Sequence, residues 1–98
     1  MEIIRSEEFE RWFCALRSRE VRLRIAVRIF RMEQGNPGDV KAVGHGLNEV
    51  RIHVAGGIRL YFIQQGKTVI ILLAGGDKST QSRDIALAKT LAEQWRNR

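Results

Sequence analysis

From Thr68 to Ala74 the chain reads TVIILLA, a nearly unbroken apolar run bounded by Gln65-Gly66 on one side and Gly75-Gly76-Asp77-Lys78 on the other. A run this short, rich in branched residues, suits a strand covered on both faces. It is far below the roughly 20 apolar residues that cross a bilayer. Gln65-Gly66 reads as a two-residue turn into the strand, and the second glycine pair as a flexible turn out of it. The other segments must supply the cover.

Glu2 to Arg5 can form a short strand, after which Ser6 is placed to cap a helix with Glu7 and Glu8 in its first turn. Phe9, Trp12, Phe13 and Leu16 recur at helical spacing, and this helix is expected to end near Arg17 or Ser18. Ser18 caps a second helix whose stripe is Val21, Ile25, Ile29 and Met32, widened by Ala26 and Phe30, until Gly35 and Pro37 stop it. The two are expected to form an antiparallel pair. From Val40 the period falls to two: Val50, Ile52 and Val54 alternate with Glu49, Arg51 and His53, and Leu60 and Phe62 with Arg59, Tyr61 and Ile63. A three-residue turn, Ala55-Gly56-Gly57, sets His53 opposite Arg59 and Arg51 opposite Tyr61. A last helix begins between Ser79 and Ser82, with Ile85, Ala88, Leu91, Ala92 and Trp95 on its apolar face. The fold class is α+β: an N-terminal strand and helical pair packed on a twisted, mainly antiparallel sheet, followed by a C-terminal helix.

The 98 residues, 44% of them hydrophobic, suffice for one core, so residues 1–98 are expected to form one domain. The acidic start MEIIRSEE is unlike a secretory leader, and a cytoplasmic protein with no membrane partner is expected. Cys14 stands alone and reads as a small core residue; with only His45 and His53 beside it in the ligand inventory, neither a metal site nor a cofactor is expected. Seventeen basic residues, thirteen of them arginine, against eleven acids give a net charge of +6. That balance points to a polyanion or an acidic protein partner.

Arg51, His53, Arg59 and Tyr61 gather on one sheet face, and Lys78 arrives from the turn after the buried strand. Arginine grips phosphate with two parallel bonds, lysine adds a point charge, and an aromatic ring can stack on an unpaired base. Metal-independent RNA cleavage needs a base for the 2′-hydroxyl, cations for the phosphorane and an acid for the leaving oxygen. His53 or His45 can carry a proton, Tyr61 can donate or stack, and Arg51, Arg59 and Lys78 can stabilise charge. Two arginines on one face oppose folding unless an acid offsets them, and Glu49 is the candidate acid. Lys41, His45 and the helix-two arginines Arg22, Arg24 and Arg28 are candidates for further RNA contacts.

The segments Leu47-Asn48-Glu49-Val50-Arg51-Ile52, Gly57-Ile58-Arg59-Leu60-Tyr61-Phe62 and Ala74-Gly75-Gly76-Asp77-Lys78-Ser79-Thr80-Gln81, followed by Asp84-Ile85-Ala86-Leu87-Ala88-Lys89, resemble the RelE/HigB-like toxins of type II toxin–antitoxin modules. The nearest likeness is to the addiction-module killer proteins related to phage Gp49-like proteins, over essentially the whole chain. The resemblance implies a toxin that enters the ribosome and cleaves mRNA, silenced by a cognate antitoxin that is commonly a helix-turn-helix DNA-binding protein. By position it carries phosphate-handling roles to Arg51, Arg59 and Lys78. The C-terminal helix lacks the tyrosine found in RelE. Two rival classes follow from the same superfamily: a non-nucleolytic toxin acting on a protein such as DNA gyrase through Arg22, Arg24 and Arg28, and an inert member that only binds its antitoxin.

Overall fold

The computed structural model describes residues 1–98. Its elements run β1 (Glu2–Arg5), α1 (Glu7–Ala15), α2 (Arg19–Glu33), β2 (Val40–Ala42), β3 (Asn48–Ile52), β4 (Ile58–Gln65), β5 (Val69–Asp77), a short 3-10 turn (Lys78–Thr80) and α3 (Gln81–Arg96). The five strands form one sheet in the order β1-β5-β4-β3-β2, antiparallel except for the parallel pairing of β1 with β5. The apolar run is the strand it promised to be. Ile70 and Leu72 face a core made with Phe9, Val21, Ile25, Ile29 and Met32, whereas Ile71 and Leu73 face a second core made with Ala88, Leu91 and Ala92. Helices α1 and α2 thus cover one face of the sheet and α3 the other.

Both expected caps form. Ser6 Oγ accepts from Phe9 N–H at 3.0 Å and Ser18 Oγ from Val21 N–H at 3.2 Å, satisfying donors that a helix start leaves without partners. Ser6 does more than cap. It is buried, and its hydroxyl donates to the Leu73 carbonyl at 2.8 Å while its own N–H donates to the Leu72 carbonyl at 2.9 Å, fastening the β1–α1 junction to β5. Ser6→Ala removes the cap and leaves the Leu73 carbonyl short of a donor, at a cost of about 1–2 kcal/mol. In a domain this small, thermal unfolding should show the midpoint falling by roughly 5–10 °C.

Four local expectations need correction. Phe30 does not widen the buried stripe of α2 but is exposed half a turn away from it. Cys14 is exposed, because it sits on the outer side of α1 opposite buried Phe9. The strand-entry loop has three residues, Gly66 to Thr68, with Gln65 paired to Val69. Gly75 and Gly76 are no turn: β5 runs through both, and each faces a side chain packed too close for a Cβ, Trp12 at Gly75 and Asp84 at Gly76.

The β3–β4 hairpin also differs in register. Arg51 pairs with Arg59 and Glu49 with Tyr61, across a five-residue loop from His53 to Gly57 in which Ala55, Gly56 and Gly57 all adopt positive φ. The polar set stays on its expected face, since the shift is by two residues, but its neighbours change. Further along, β4 and β5 slip register between Tyr61 and Phe62: Tyr61 pairs with Ala74 and Phe62 with Leu72. Leu73 is the extra residue of a bulge, and beyond it Gly76 pairs with Arg59 under the start of α3.

Candidate functional site

Across the sheet face beneath α3, the register aligns Asp39 beside Arg51, Arg51 opposite Arg59, and Arg59 opposite Gly76. The adjacent row is Lys41, Glu49, Tyr61 and Ala74. Helix α3 covers the β4 and β5 end of this face. Lys41, Arg51 and His53 remain exposed at the other end.

Two arginines directly opposed would repel, and each has its own acid. Arg59 Nε lies 3.6 Å from Glu49 Oε1, a pair largely out of water with side-chain exposures of 14% and 2%. Gln81, from the first turn of α3, donates its Nε2 to the other Glu49 oxygen at 2.9 Å. Glu49 is therefore the acid for Arg59, as the sequence suggested. Arg51 is served by Asp39, with Nε at 3.2 Å and Nη2 at 3.5 Å from its two carboxyl oxygens. His53 Nε2 reaches the same carboxylate at 3.3 Å. The hydrogen bond from Arg51, reinforced by His53, holds Asp39 below the usual carboxylate range. At the end of β5, Asp77 is likewise held low, chiefly by Ser79, whose hydroxyl and N–H both donate to it.

These pairings change the electrostatic picture. Around the face, Arg51 and Arg59 are each paired with a carboxylate, Asp39 and Glu49, whereas Lys41, Lys78 and the neighbouring Arg83 have no ion pair. Helix α2 carries a separate positive charge, five arginines against two glutamates. A phosphate reaching Arg51 or Arg59 must exchange places with a carboxylate. That exchange is inexpensive at the exposed Arg51–Asp39 pair and demanding at the buried Arg59–Glu49 pair.

The structure divides the residues singled out by sequence into three groups. Arg51, Arg59 and His53 gather at one end of the sheet, and Lys78 follows in the exposed turn two residues beyond Gly76, the partner of Arg59. Lys41 is exposed on the same face, next to Glu49. His45 is elsewhere: it lies in the β2–β3 loop at the far end of β3, beside Lys89, Thr90, Glu93 and Arg96, and its carbonyl accepts from Arg96 at 2.7 Å. The five residues of β3, about 17 Å of extended chain, separate it from His53. Arg22, Arg24 and Arg28 belong to α2 on the opposite layer, although Arg28 reaches round to donate to the Arg51 carbonyl at 3.0 Å.

Tyr61 does not have the role of a stacking platform. Its ring is completely buried in the α3-facing core, and its hydroxyl has no hydrogen-bond partner. Burial, then the nearby Glu49 and Asp84 charges, push its ionisation well above the ordinary phenol range. A phenol whose folded pKa is raised contributes stability below its unfolded value of about 10 and loses it as pH climbs toward the folded one. Because Tyr61 is the only tyrosine, an alkaline titration followed at phenolate absorbance should show no ionisation near pH 10, and then ionisation together with unfolding. A reversible transition near pH 10 with the fold intact would contradict this burial.

Three contributors were missed by sequence reading: Asp39, Gln81 and Asp84. Asp84 is a buried acid on the first turn of α3 that accepts from the Thr80 hydroxyl and fits against Gly76. Its only signal was an acid among the apolar positions at the start of a helix, which also reads as a favourable helix-dipole contact.

This strand order, with two helices on one face of the sheet and a C-terminal helix on the other, is the fold of RelE. The backbone superimposes on the free-state structure of a double arginine-to-alanine mutant of the E. coli toxin RelE with a TM-score of 0.69, covering 89% of this chain and 92% of that one at 17% identity. Residues 11–94 match the model of the family described as Phage derived protein Gp49-like, and the chain belongs to that family. It is also 43% identical over 86 residues to an uncharacterised protein of Haemophilus influenzae, covering 88% of this chain and 87% of the relative. No helix is long and apolar enough to cross a membrane.

Proposed function

We propose that this protein is the toxin of a type II toxin–antitoxin module and cleaves mRNA on the ribosome without a metal, being neutralised by a cognate antitoxin. The observation that carries this reading is the direct pairing of Arg51 with Arg59 on the α3-facing sheet surface of a Gp49-family chain. Two guanidinium groups on adjacent strands can span one phosphate, and here they are kept in place by carboxylates that an incoming phosphate can replace.

In the proposed reaction the 2′-oxygen attacks the adjacent phosphorus and the bond to the 5′-oxygen breaks. Arg59 and Arg51 stabilise the charge that gathers on the phosphorane oxygens, and Lys78 adds a cation at the mouth of the site. His53, exposed and tied to Asp39, takes the 2′-hydroxyl proton and solvent protonates the leaving 5′-oxygen; Tyr61, buried as a neutral phenol, positions β4 and transfers no proton. The ribosome supplies the alignment of the mRNA, which explains how so open a face can suffice. Lys41 extends the track along the open edge, while His45, Arg22, Arg24 and Arg28 have no part in cleavage.

Inducing the protein in a bacterial host and mapping mRNA 5′ ends tests the reading. New 5′-hydroxyl ends inside translated regions are expected, and they should vanish when translation initiation is blocked. Growth arrest with no new ends would overturn cleavage and favour a protein target.

A further inference from the structure

Helix α2 is apolar on two opposite sides. Val21, Ile25, Ile29 and Met32 are buried against the sheet. Half a turn away, Leu23, Val27 and Phe30 point outward with exposures of 62%, 41% and 61%. Their spacing of four and three places them in one row on the helix surface. Single exposed apolar residues are ordinary, but a contiguous row on a helix already buried on its other side has the pattern of a helix covered twice.

The charges beside this row identify the cover. Arg19 borders it on one side, and Arg24 and Arg31 on the other, with Glu20 the one acid among them. No arginine of α2 has a carboxylate within ion-pair distance, in contrast to Arg51 and Arg59. Arg19, Arg24 and Arg31 have no side-chain hydrogen bond either, whereas Arg22 turns back to the Leu16 carbonyl and Arg28 to that of Arg51. Nucleic acid would satisfy these cations but gain nothing from Leu23 and Val27, which have no face for a base to stack on. A second copy of the chain would bring arginine borders against arginine borders on molecules of net charge +6. A helix with an apolar ridge and acidic flanks satisfies both the row and its borders.

We propose that the outward face of α2 is the docking surface for the antitoxin, which lays an amphipathic, acid-bordered helix along Leu23, Val27 and Phe30. This rests on the toxin–antitoxin reading above and adds its location. The surface lies on the layer opposite Arg51 and Arg59, so the two sites can be altered separately.

The test uses the full chain, the product of the reading frame adjacent to its gene as the antitoxin probe, and a 20-nucleotide single-stranded RNA as the competing one. Leu23→Ser with Phe30→Ser alters only exposed positions and should lower antitoxin affinity by about a hundred-fold, with RNA affinity and melting temperature unchanged. Arg24→Glu with Arg31→Glu should lower it by about ten-fold or more and flatten its salt dependence. In cells, the Leu23/Phe30 variant should still arrest growth but escape rescue by the antitoxin. Wild-type antitoxin affinity in both variants would overturn the proposal. So would a loss of RNA binding without loss of antitoxin binding, or sedimentation showing a wild-type dimer that the Leu23/Phe30 variant abolishes while antitoxin binding persists. A wild-type chain that cuts no mRNA yet binds the antitoxin through this row would sink the nuclease reading and leave the docking surface standing.

Discussion

Arg59→Ala is expected to lower mRNA cleavage by about a hundred- to a thousand-fold, the usual effect of removing a donor aimed at transition-state charge. It should also destabilise the protein by about 3 kcal/mol, because Glu49, 2% exposed, would lose its cation and be left with only Gln81 as a partner. The two effects need separating, and the architecture allows it. Replacing both partners, Arg59→Leu with Glu49→Leu, removes the stranded charge and should recover most of the stability while cleavage stays lost. Arg51→Ala offers the converse comparison. Its pair with Asp39 is half exposed, so stability should move by less than about 1 kcal/mol while cleavage falls as in the Arg59 variant. Denaturant unfolding beside single-turnover cleavage on programmed ribosomes reads both quantities. A folded Arg59→Ala protein that cleaves at the wild-type rate would remove the sheet face from the mechanism.

Gly76→Ala is expected to be strongly destabilising for a single-methyl change. The added carbon would overlap a carboxyl oxygen of Asp84 and stand 2.8 Å from both Asp84 Cγ and Thr80 Oγ1. Asp84 is buried and bonded to Thr80 at the start of α3, so relieving the clash means lifting that helix end from the sheet. Overpacking of this kind costs about 2–3 kcal/mol, or a fall of roughly 10 °C or more in melting temperature. Asp84→Ala beside Gly76→Ala makes room, and the double variant should melt higher than Gly76→Ala alone. Equal melting temperatures for wild type and Gly76→Ala would show that α3 does not seat where Gly76 places it. Since Gln81 precedes Asp84 by one turn and holds Glu49, a lifted α3 would also loosen Arg59.

Much of this architecture was legible because hydrophobic periodicity answers directly to burial. The Val21, Ile25, Ile29 and Met32 stripe of α2, though not its widening by Phe30, both serine caps, the doubly covered β5 and the shared face of Arg51, Arg59 and Tyr61 all follow from which residues can leave water. Register was not legible, for a specific reason. Moving the β3–β4 pairing by two residues leaves every side chain on its face, so the apolar pattern cannot distinguish a three-residue loop from the five-residue one. That undetected shift decides whether Arg59 meets His53 or Arg51. The glycine pair misled in a similar way: glycine marks a turn when the backbone needs positive φ, but Gly75 and Gly76 are glycine because Trp12 and Asp84 occupy the space of a Cβ. Tyr61 alternates with apolar residues as a surface tyrosine would, and only the seating of α3 over it shows that it is buried. Asp39 gave no signal in one dimension and Gln81 only its place in the resembling turn, because their roles depend on partners 12 and 32 residues away.

The parallel pairing of β1 with β5 has a bearing on when the molecule comes into being. Ile3 can find Ile70 only after the intervening chain has been synthesised, and the Ser6 hydroxyl must likewise wait for Leu73. Contacts so distant in sequence make for late, concerted folding instead of growth from the N-terminus. A nascent chain therefore carries its first strand and helix unanchored through most of its own translation. The time between synthesis and maturity is built into the strand order.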